Sequence, residues 1–262
     1  MSMKIIVCVK TNMDLQMVRV KNREPVLEAI PYKVGNLEKN ALEAAIQIKE
    51  GGTDVTVVAL TVAEANSRIR ETMKEVLAIG ADEAVIVADP ALAATDQAAV
   101  AVTIARAVEQ VGGADLLFFG EGSTDNYSGQ VGSRVAQILG MPQVGYARKL
   151  ELSGSAVRAE RIMDDMVETL EATLPVVVTV VSEINEPRIP SLMNIMKAGK
   201  KLVTELSLAD LGLDAASAAP QKTILSNLAE KQDRKHIMLE GDASSQAAGL
   251  IDALVREGVL GR

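Results

Sequence analysis

The chain has 262 residues, of which 48% are hydrophobic, 24% charged and only 2% aromatic, and its formal net charge is -8. One Cys (Cys8), one His (His236) and no Trp exclude a zinc ribbon, an iron–sulfur site, a haem attachment and a disulfide scaffold. A Ser-His-Asp or Cys-His nucleophile would have to recruit His236. The length and apolar content suffice for one large domain, or a domain with an appendage. An acidic balance argues against a nucleic-acid binder, which shows a basic face. The start, MSMKIIVCVK, has too short an apolar run for a signal peptide. No apolar stretch approaches about 18 residues, so no transmembrane helix is expected. The expectation is a cytoplasmic protein of a reducing compartment that brings little side-chain chemistry of its own.

IIVCVK (Ile5 to Lys10) reads as a strand buried on both faces. After a polar loop, Leu37, Ala41, Ala44, Ala45 and Ile48 fall at helical spacing, and Gly51-Gly52 supplies the stop. Asp54 to Val62 is a second strand, followed by a helix with Ile69, Met73, Val76 and Leu77 on one face and Gly80 at its end. Glu83 to Asp89 is a third strand, Thr95 to Val111 a long helix, and Ala114 to Gly120 a fourth strand. A Gly/Ser/Asp loop then leads to a helix starting near Ser128 or Gly129, with Val131, Val135, Ile138 and Leu139 inward. This alternation predicts right-handed βαβ units around a parallel sheet.

The style then changes. A polar hairpin around Asp164-Asp165 feeds one more buried strand, Val176 to Val181. From Asn185 the period breaks in a Pro-containing stretch with a cationic end. Beyond it come a Ser/Ala/Pro-rich linker (Ala215 to Pro220), His236 before a short strand, and an amphipathic helix with Ala247, Leu250, Ile251, Leu254 and Val255. The division expected is an α/β domain over 1–185 and, over 186–262, a recognition loop with an extended C-terminal arm. That arm is too poor in core to fold alone and is expected to lie on a partner.

The strongest candidate for chemistry is FFGEGSTDNYSGQVGSR, Phe118 to Arg134. In a parallel sheet, ligands bind outside the carboxyl ends of the strands, where a helix N-terminus offers free amides to phosphate. Gly120, Gly122, Gly129 and Gly132 permit close backbone approach, and Ser123, Thr124, Ser128 and Gln130 can donate to phosphate or ribose oxygens. The plainer alternative is a loop that only turns the chain and caps its helix. The loop has neither the GK[ST] of a Walker A motif nor GxGxxG spacing. Cys8-Val9-Lys10 would lie beside it if the two strands are neighbours. A mid-strand Cys is more often a small buried hydrophobe, and two acids at a hairpin tip are more often turn formers. Lys197, Lys200 and Lys201 either complement a helix C-terminus or belong to an exposed docking loop.

Several segments, in order along nearly the whole chain, resemble the beta subunit of electron-transfer flavoprotein. They are MKIIVCVK, ALEAAIQIKE, IGADEA, GEGSTDNYSGQVG and RIMDDMVETLEATLPVVVTVVSEINEPRIPSLMNIMKAGKK, with LSLADLGL after it. Arg161 to Thr179 is similar to the family signature, with Met166 where an acid or Gly is usual. FGEGS, LTV, PRIPS and RKHI look most like the Fix-type and carnitine-metabolism-associated branch. The resemblance implies a Rossmann-like, adenine-nucleotide-binding fold and a heterodimer with an alpha subunit that carries the electron-transferring FAD. The beta site would hold AMP, or a second FAD taking hydride from NADH in bifurcating members.

On the same basis the nucleotide contacts fall on Cys8 and Lys10, on the helix start near Gly35 to Glu38 with Asn36 and Leu37, and on Leu60. They continue along Gly120 to Val131, through Gly120, Gly122, Ser123, Thr124, Asp125, Asn126, Ser128, Gly129, Gln130 and Val131. Two departures touch this set: the usual Asn-Pro-aromatic reads Gly35-Asn36-Leu37, and the usual Gly-Pro reads Thr61-Val62. The recognition loop that docks a flavin-dependent dehydrogenase or quinone oxidoreductase would run from Pro187 to Lys201. Leu192 is its anchor, Met193 stands where Pro is common, and Lys197 lies on its rim. No catalytic side chain and no metal are expected, since a cofactor supplies the chemistry. The competing readings are an adenine-nucleotide-binding regulatory protein of the same fold and an ATP-pyrophosphatase ligase. The ligase would want an SGGxDS-like loop where this chain reads KTNMD.

Overall fold

In a computed structural model, residues 2–231 and 234–261 of the protein are described, and the chain divides into two compact units. The larger comprises Val26–Ser226 with the residues before Val20, and the smaller comprises Val20–Pro25 with Asn227 onward. The strands in chain order are β1 (Met3–Cys8), β2 (Thr11–Met13), β3 (Arg19–Lys21), β4 (Glu24–Val26), β5 (Tyr32–Val34), β6 (Val55–Ala63) and β7 (Glu83–Ala88). They continue with β8 (Leu116–Gly120), β9 (Gln143–Ser153), β10 (Ala156–Ile162), β11 (Val167–Thr173), β12 (Val176–Val180) and β13 (Leu202–Leu206). The helices are α1 (Asn36–Glu50), α2 (Ser67–Ile79), α3 (Gln97–Gln110), α4 (Val131–Leu139), α5 (Leu192–Ala198) and α6 (Ala243–Arg256).

The larger unit is a nine-stranded sheet in the order β11-β10-β9-β12-β8-β1-β6-β7-β13. From β9 to β13 every neighbouring pair is parallel, while β9, β10 and β11 form an antiparallel ribbon at one edge. Strand β1 is apolar on both faces because both are covered. Ile5, Val7 and Val9 join a core with Leu42 of α1 and Met73 of α2. Ile6 and Cys8 join a second core with Ile104 of α3 and Val135 of α4. The chain therefore runs from β1 outward through β6 and β7, then returns to lay β8 on the other side of β1. That reversal creates a switch point between the carboxyl ends of β1 and β8.

The expected strands and helices of the first 140 residues are present, with ends shifted by one to three residues, as fraying termini allow. Helix α4 departs more. It starts at Val131 rather than at Ser128 or Gly129, and Ile138 is exposed instead of inward. The reason is Gly132, where an added Cβ would lie 2.8 Å from Thr179 and 3.4 Å from Phe119. So close an approach centres the buried face on Gly132, Val135 and Ala136 and turns Ile138 outward.

Four further corrections fall in the second half. The boundary at 185/186 does not coincide with the compact units, because β13 pairs with β7 and carries residues 202–206 into the sheet. The aperiodic stretch after Asn185 contains α5, capped by the Ser191 hydroxyl accepting from the Asn194 amide. The stretch Ala215 to Pro220 is not a free linker, since Ala218 is fully buried in the second core. Among the described residues no strand follows His236, whose φ is +46°.

In the smaller unit, β3 and β4 form a ribbon whose turn places Asn22 and Arg23 at positive φ, the backbone that a tight two-residue hairpin requires. Arg23 exchanges backbone and side-chain hydrogen bonds with Ala229. Helix α6 is capped by Asp242 and contains no buried residue, so Leu250, Ile251 and Val255 are exposed. Among the described residues no helix is long and apolar enough to cross a membrane.

Phe118 is fully buried in the central strand β8. Phe118→Ala should cost about 3–5 kcal/mol, read as a lower urea midpoint with an unchanged slope.

Candidate functional site

The register of the central strands decides what meets at the switch point. Val7 lies opposite Phe118 across the β1–β8 pair, and Cys8 lies opposite Leu60 across the β1–β6 pair. The residues after Cys8 and after Gly120 therefore leave the sheet side by side. Lys10 Nζ donates to both oxygens of Asp125, at 2.9 and 2.7 Å, and Asn12 Nδ2 donates to Thr124 Oγ1 at 3.4 Å. The loop is folded on itself. The Tyr127 hydroxyl donates to Glu121 at 2.6 Å, and the Tyr127 amide donates to the Ser123 carbonyl.

Two glycines make this geometry possible. A Cβ on Gly120 would lie 2.7 Å from Leu37 Cβ, so the start of α1 rests directly on the end of β8. A Cβ on Gly122 would lie 3.0 Å from the Tyr127 ring. The fold thus brings Cys8, Lys10, Leu37, Leu60, Gly120, Gly122, Ser123, Thr124 and Asp125 to one crevice. Ser128, Gly129 and Gln130 lead into α4, whose first residue is Val131, and Gln130 accepts from Arg134. Asn36 and Asn126 are exposed.

Two observations bear on whether this crevice suits a nucleotide. Helices α2, α3, α5 and α6 each begin with a side chain that accepts from their own first turn. Helices α1 and α4 do not: their N-caps are Gly35 and Gln130, without a side-chain cap hydrogen bond. At α4 the first-turn amides stay available to an anion, reinforced by the helix dipole, whereas at α1 the Glu38 carboxyl folds back against Gly35 and occupies the helix start.

Secondly, four buried side-chain oxygens have no partner among the described residues: Thr11 Oγ1, Glu38 Oε2, Thr61 Oγ1 and Thr95 Oγ1. All four lie at or beyond the carboxyl-terminal halves of β1, β6 and β7 or at the start of α1. Buried polar atoms are ordinarily paired; those of Thr11, Glu38 and Thr61 lie on or next to the neighbouring elements β1, β6 and α1, whereas Thr95 lies beyond β7. The residues fit a nucleotide: uncapped amides suit phosphate, and the acids and threonines suit hydroxyl or amino donors.

The electrostatics divide the acids into two kinds. Burial pushes the Glu38 carboxyl up to about 7, opposed by its own backbone amide and by Lys10, with Asp125 pushing up more weakly. At Asp125 burial also pushes upward, but the Lys10 ammonium and the Ser123 hydroxyl outweigh it and hold the carboxyl below its ordinary value. Burial raises the Cys8 thiol far above its ordinary range, so Cys8 packs as a neutral hydrophobe and presents no thiolate. Glu121 raises the Tyr127 hydroxyl to about 12.

Thr11 and Asn12 escape sequence reasoning, because they lie in the short strand β2 within what reads as a polar loop. Glu121 and Tyr127 fall inside the Gly120 to Val131 loop without being singled out, and Thr61 registers in the sequence only as a departure after Leu60.

The residues expected to dock a partner occupy a different face. Pro187 is half-buried, whereas Leu192, Met193 and Lys197 are exposed on α5 or in its first turn, with Leu192 76% and Met196 73% exposed. The segment before α5 is fastened to α1. Asn40 Nδ2 donates to the Asn185 carbonyl at 2.8 Å, and Asn185 Nδ2 donates back to the Asn40 carbonyl at 3.0 Å. Arg188 donates to both oxygens of buried Glu43 and to both of Glu50. Glu43 is held below its ordinary value because Arg188 and Gln47 outweigh the opposing effect of burial.

A mostly parallel sheet covered by helices on both faces, with a switch-point crevice fronted by helix N-termini, defines a Rossmann-like α/β domain. The family model for the electron transfer flavoprotein domain matches residues 26–211, well over half of the chain. The protein therefore belongs to the electron transfer flavoprotein family.

A carboxyl whose folded value stands above its unfolded one stabilises the fold least when ionised. With Glu38 rising from 4.5 to about 7, the stability present below pH 4.5 is lost as pH climbs to 7, by roughly 3 kcal/mol. Glu38→Gln should therefore raise the melting temperature at pH 8 relative to the parent protein, and the difference should close at pH 5. A pH-independent difference would contradict the assignment.

Proposed function

We propose that the chain is the beta-type subunit of a heterodimeric electron transfer flavoprotein, working in a reducing compartment. In this reading the crevice between β1 and β8 holds the adenosine phosphate part of AMP or of a second FAD. The partner alpha subunit carries the electron-transferring FAD. The observation that carries the reading is the coincidence, in a chain of this family, of the uncapped N-terminus of α4 beyond β8 with unpaired buried oxygens on Thr11, Glu38 and Thr61 beside the carboxyl ends of β1 and β6.

Each residue then has a binding role. The amides of α4 and of the 120–130 loop receive phosphate. Lys10 turns from Asp125 toward the same charge, and Glu38 and Thr61 receive hydroxyl or amino donors. Leu37, Leu60 and Cys8 supply apolar contact for a flat base. Bound flavin supplies the one- and two-electron chemistry, and no side chain of this chain is asked to move a proton.

Helix α5 docks the electron-transfer partner, a flavin-dependent dehydrogenase or quinone oxidoreductase. Leu192 is its apolar anchor, and the clamp of Arg188 on Glu43 and Glu50 holds the segment in place. An exposed apolar helix on a fixed base suits a contact that must form and release quickly, because an anchor of this kind concentrates binding energy in few residues.

Co-expression with the alpha partner should give a yellow complex. Quantifying FAD and AMP after denaturation decides the occupant: one FAD plus one AMP per heterodimer marks an ordinary carrier. Two FAD, with reduction by NADH, mark a bifurcating one. A colourless monomer that still binds AMP would refute the electron-transfer role. Leu192→Ala should lower electron transfer to the docked dehydrogenase about tenfold, equivalent to about 1.4 kcal/mol of docking energy, with nucleotide content and melting temperature unchanged.

A further inference from the structure

We propose that a second ligand site, for a small oxyanion such as phosphate or a short dicarboxylate, lies in the open cavity of about 380 Å³ between the carboxyl-terminal ends of α1 and α2 and the face of α5. The polar lining comes from Lys49, Glu50, Arg188, Asn194, Lys197 and Lys201. Ile46, Ile79 and Gly80 contribute the apolar remainder. There a Cβ on Gly80 would meet Ile46 Cδ1 at 2.5 Å, so that part of the wall is closely packed.

The inventory of donors and acceptors identifies the ligand class. Every carboxylate around the cavity is engaged. Glu50 accepts from Arg188 with both oxygens, and so does Glu43 behind it. Asp82 accepts from Lys49 with one oxygen and from the Val57 amide with the other. The donors are in surplus. Lys201 Nζ uses two of its three hydrogens, on the carbonyls of Leu77 at 2.8 Å and Ala81 at 2.6 Å. Among the described residues, Lys197 has no ion-pair or hydrogen-bond partner and the Asn194 side-chain amide donates to nothing.

A cavity with spare ammonium and amide donors, and with its carboxylates occupied, is complementary to an acceptor-rich anion. The hydrogen-bond partners of Lys201 are neutral carbonyls at the end of α2, where the helix dipole offsets about half a charge, and the nearby charges of Asp82 and Lys49 act on it in opposite senses. Burial accordingly lowers its proton affinity, and an entering anion would restore it. Such a ligand would bridge α5, through Asn194 and Lys197, to the ends of α1 and α2. It would thereby brace the exposed helix on its base. The proposal does not depend on what occupies the crevice between β1 and β8.

The test uses the full-length protein with its co-expressed partner, saturated with AMP so that the crevice cannot take the probe. Inorganic phosphate and succinate are titrated calorimetrically against potassium chloride at matched ionic strength, with hydrogen exchange followed over 192–201. At least one probe should bind saturably at millimolar concentration or below and slow exchange in α5. The stronger of the two tells phosphate from carboxylate chemistry. Lys197→Gln should weaken that binding about tenfold, while removal of a surface charge elsewhere, Lys149→Gln, should leave it unchanged. Lys201→Gln, provided its melting temperature is retained, should do the same as Lys197→Gln. Binding no different from chloride, or binding that Lys197→Gln and Lys149→Gln affect equally, would overturn the proposal.

Discussion

The parallel pairing of β1 with β8 is the constraint on which the rest depends. These strands are more than a hundred residues apart in the chain, yet Ile5, Ile6 and Val7 lie in register with Leu116, Leu117 and Phe118. Because both strands are apolar on both faces, they can satisfy their backbone only inside a sheet covered on both sides. The pairing commits the chain to return across β1, and the crevice is where that return leaves room. Lys10 and Asp125 become partners only as a consequence.

Helix α1 is the piece shared by the two functional regions. Its first turn, with Leu37 against Gly120 and Glu38 buried beside Lys10 and Asp125, forms one wall of the crevice. Its middle and end hold the segment before α5 through Asn40, Glu43 and Glu50. The polar residues on a largely buried helix are thus accounted for unequally. Glu43 is compensated by Arg188, and the cost of burying it is offset by charge-assisted hydrogen bonds. Glu38 lacks such a charge-assisted pair: backbone amides and Lys10 only partly offset its burial, so it titrates upward with Oε2 left without a partner. Carboxyls perturbed by burial in this way concentrate at functional sites.

The poverty in His, Cys and aromatic residues has a concrete structural counterpart. Cys8, the one thiol, is buried and protonated, and Phe118 and Phe119 are spent in the two cores on either side of β8. In the proposed role, a flavin or adenine ring in this crevice meets aliphatic side chains, backbone and Tyr127 rather than a stack of aromatic rings. Such a site binds and orients through amides and dipoles, which suits a subunit whose reactivity belongs to its cofactor.

Strands β1, β6, β7 and β8 and helices α1 to α4 were legible because apolar runs and the 3.6-residue period are local properties, whereas the short strands β2 to β5 lie in what reads as a polar loop. The glycines of the 120–132 loop were legible because Gly120, Gly122 and Gly132 answer to close approaches and Gly129 to a positive φ, demands that favour Gly. The ribbon β9–β11 was less so: its strands alternate with one face wet, and their pairing is not written in either strand alone. Helix α5 was hidden because its apolar residues point outward, inverting the pattern by which helices are recognised. Ile138 was misplaced because rotation of α4 is set by Gly132 against Thr179, a contact between segments far apart in sequence. By itself, then, the sequence determined the parallel α/β class, drew the resemblance to the family and singled out the glycine-rich loop. Tertiary structure alone decided which helix ends stay uncapped, which buried oxygens stay unpaired and which lysines face a cavity. Those properties belong to distances between distant segments, and no local pattern encodes them.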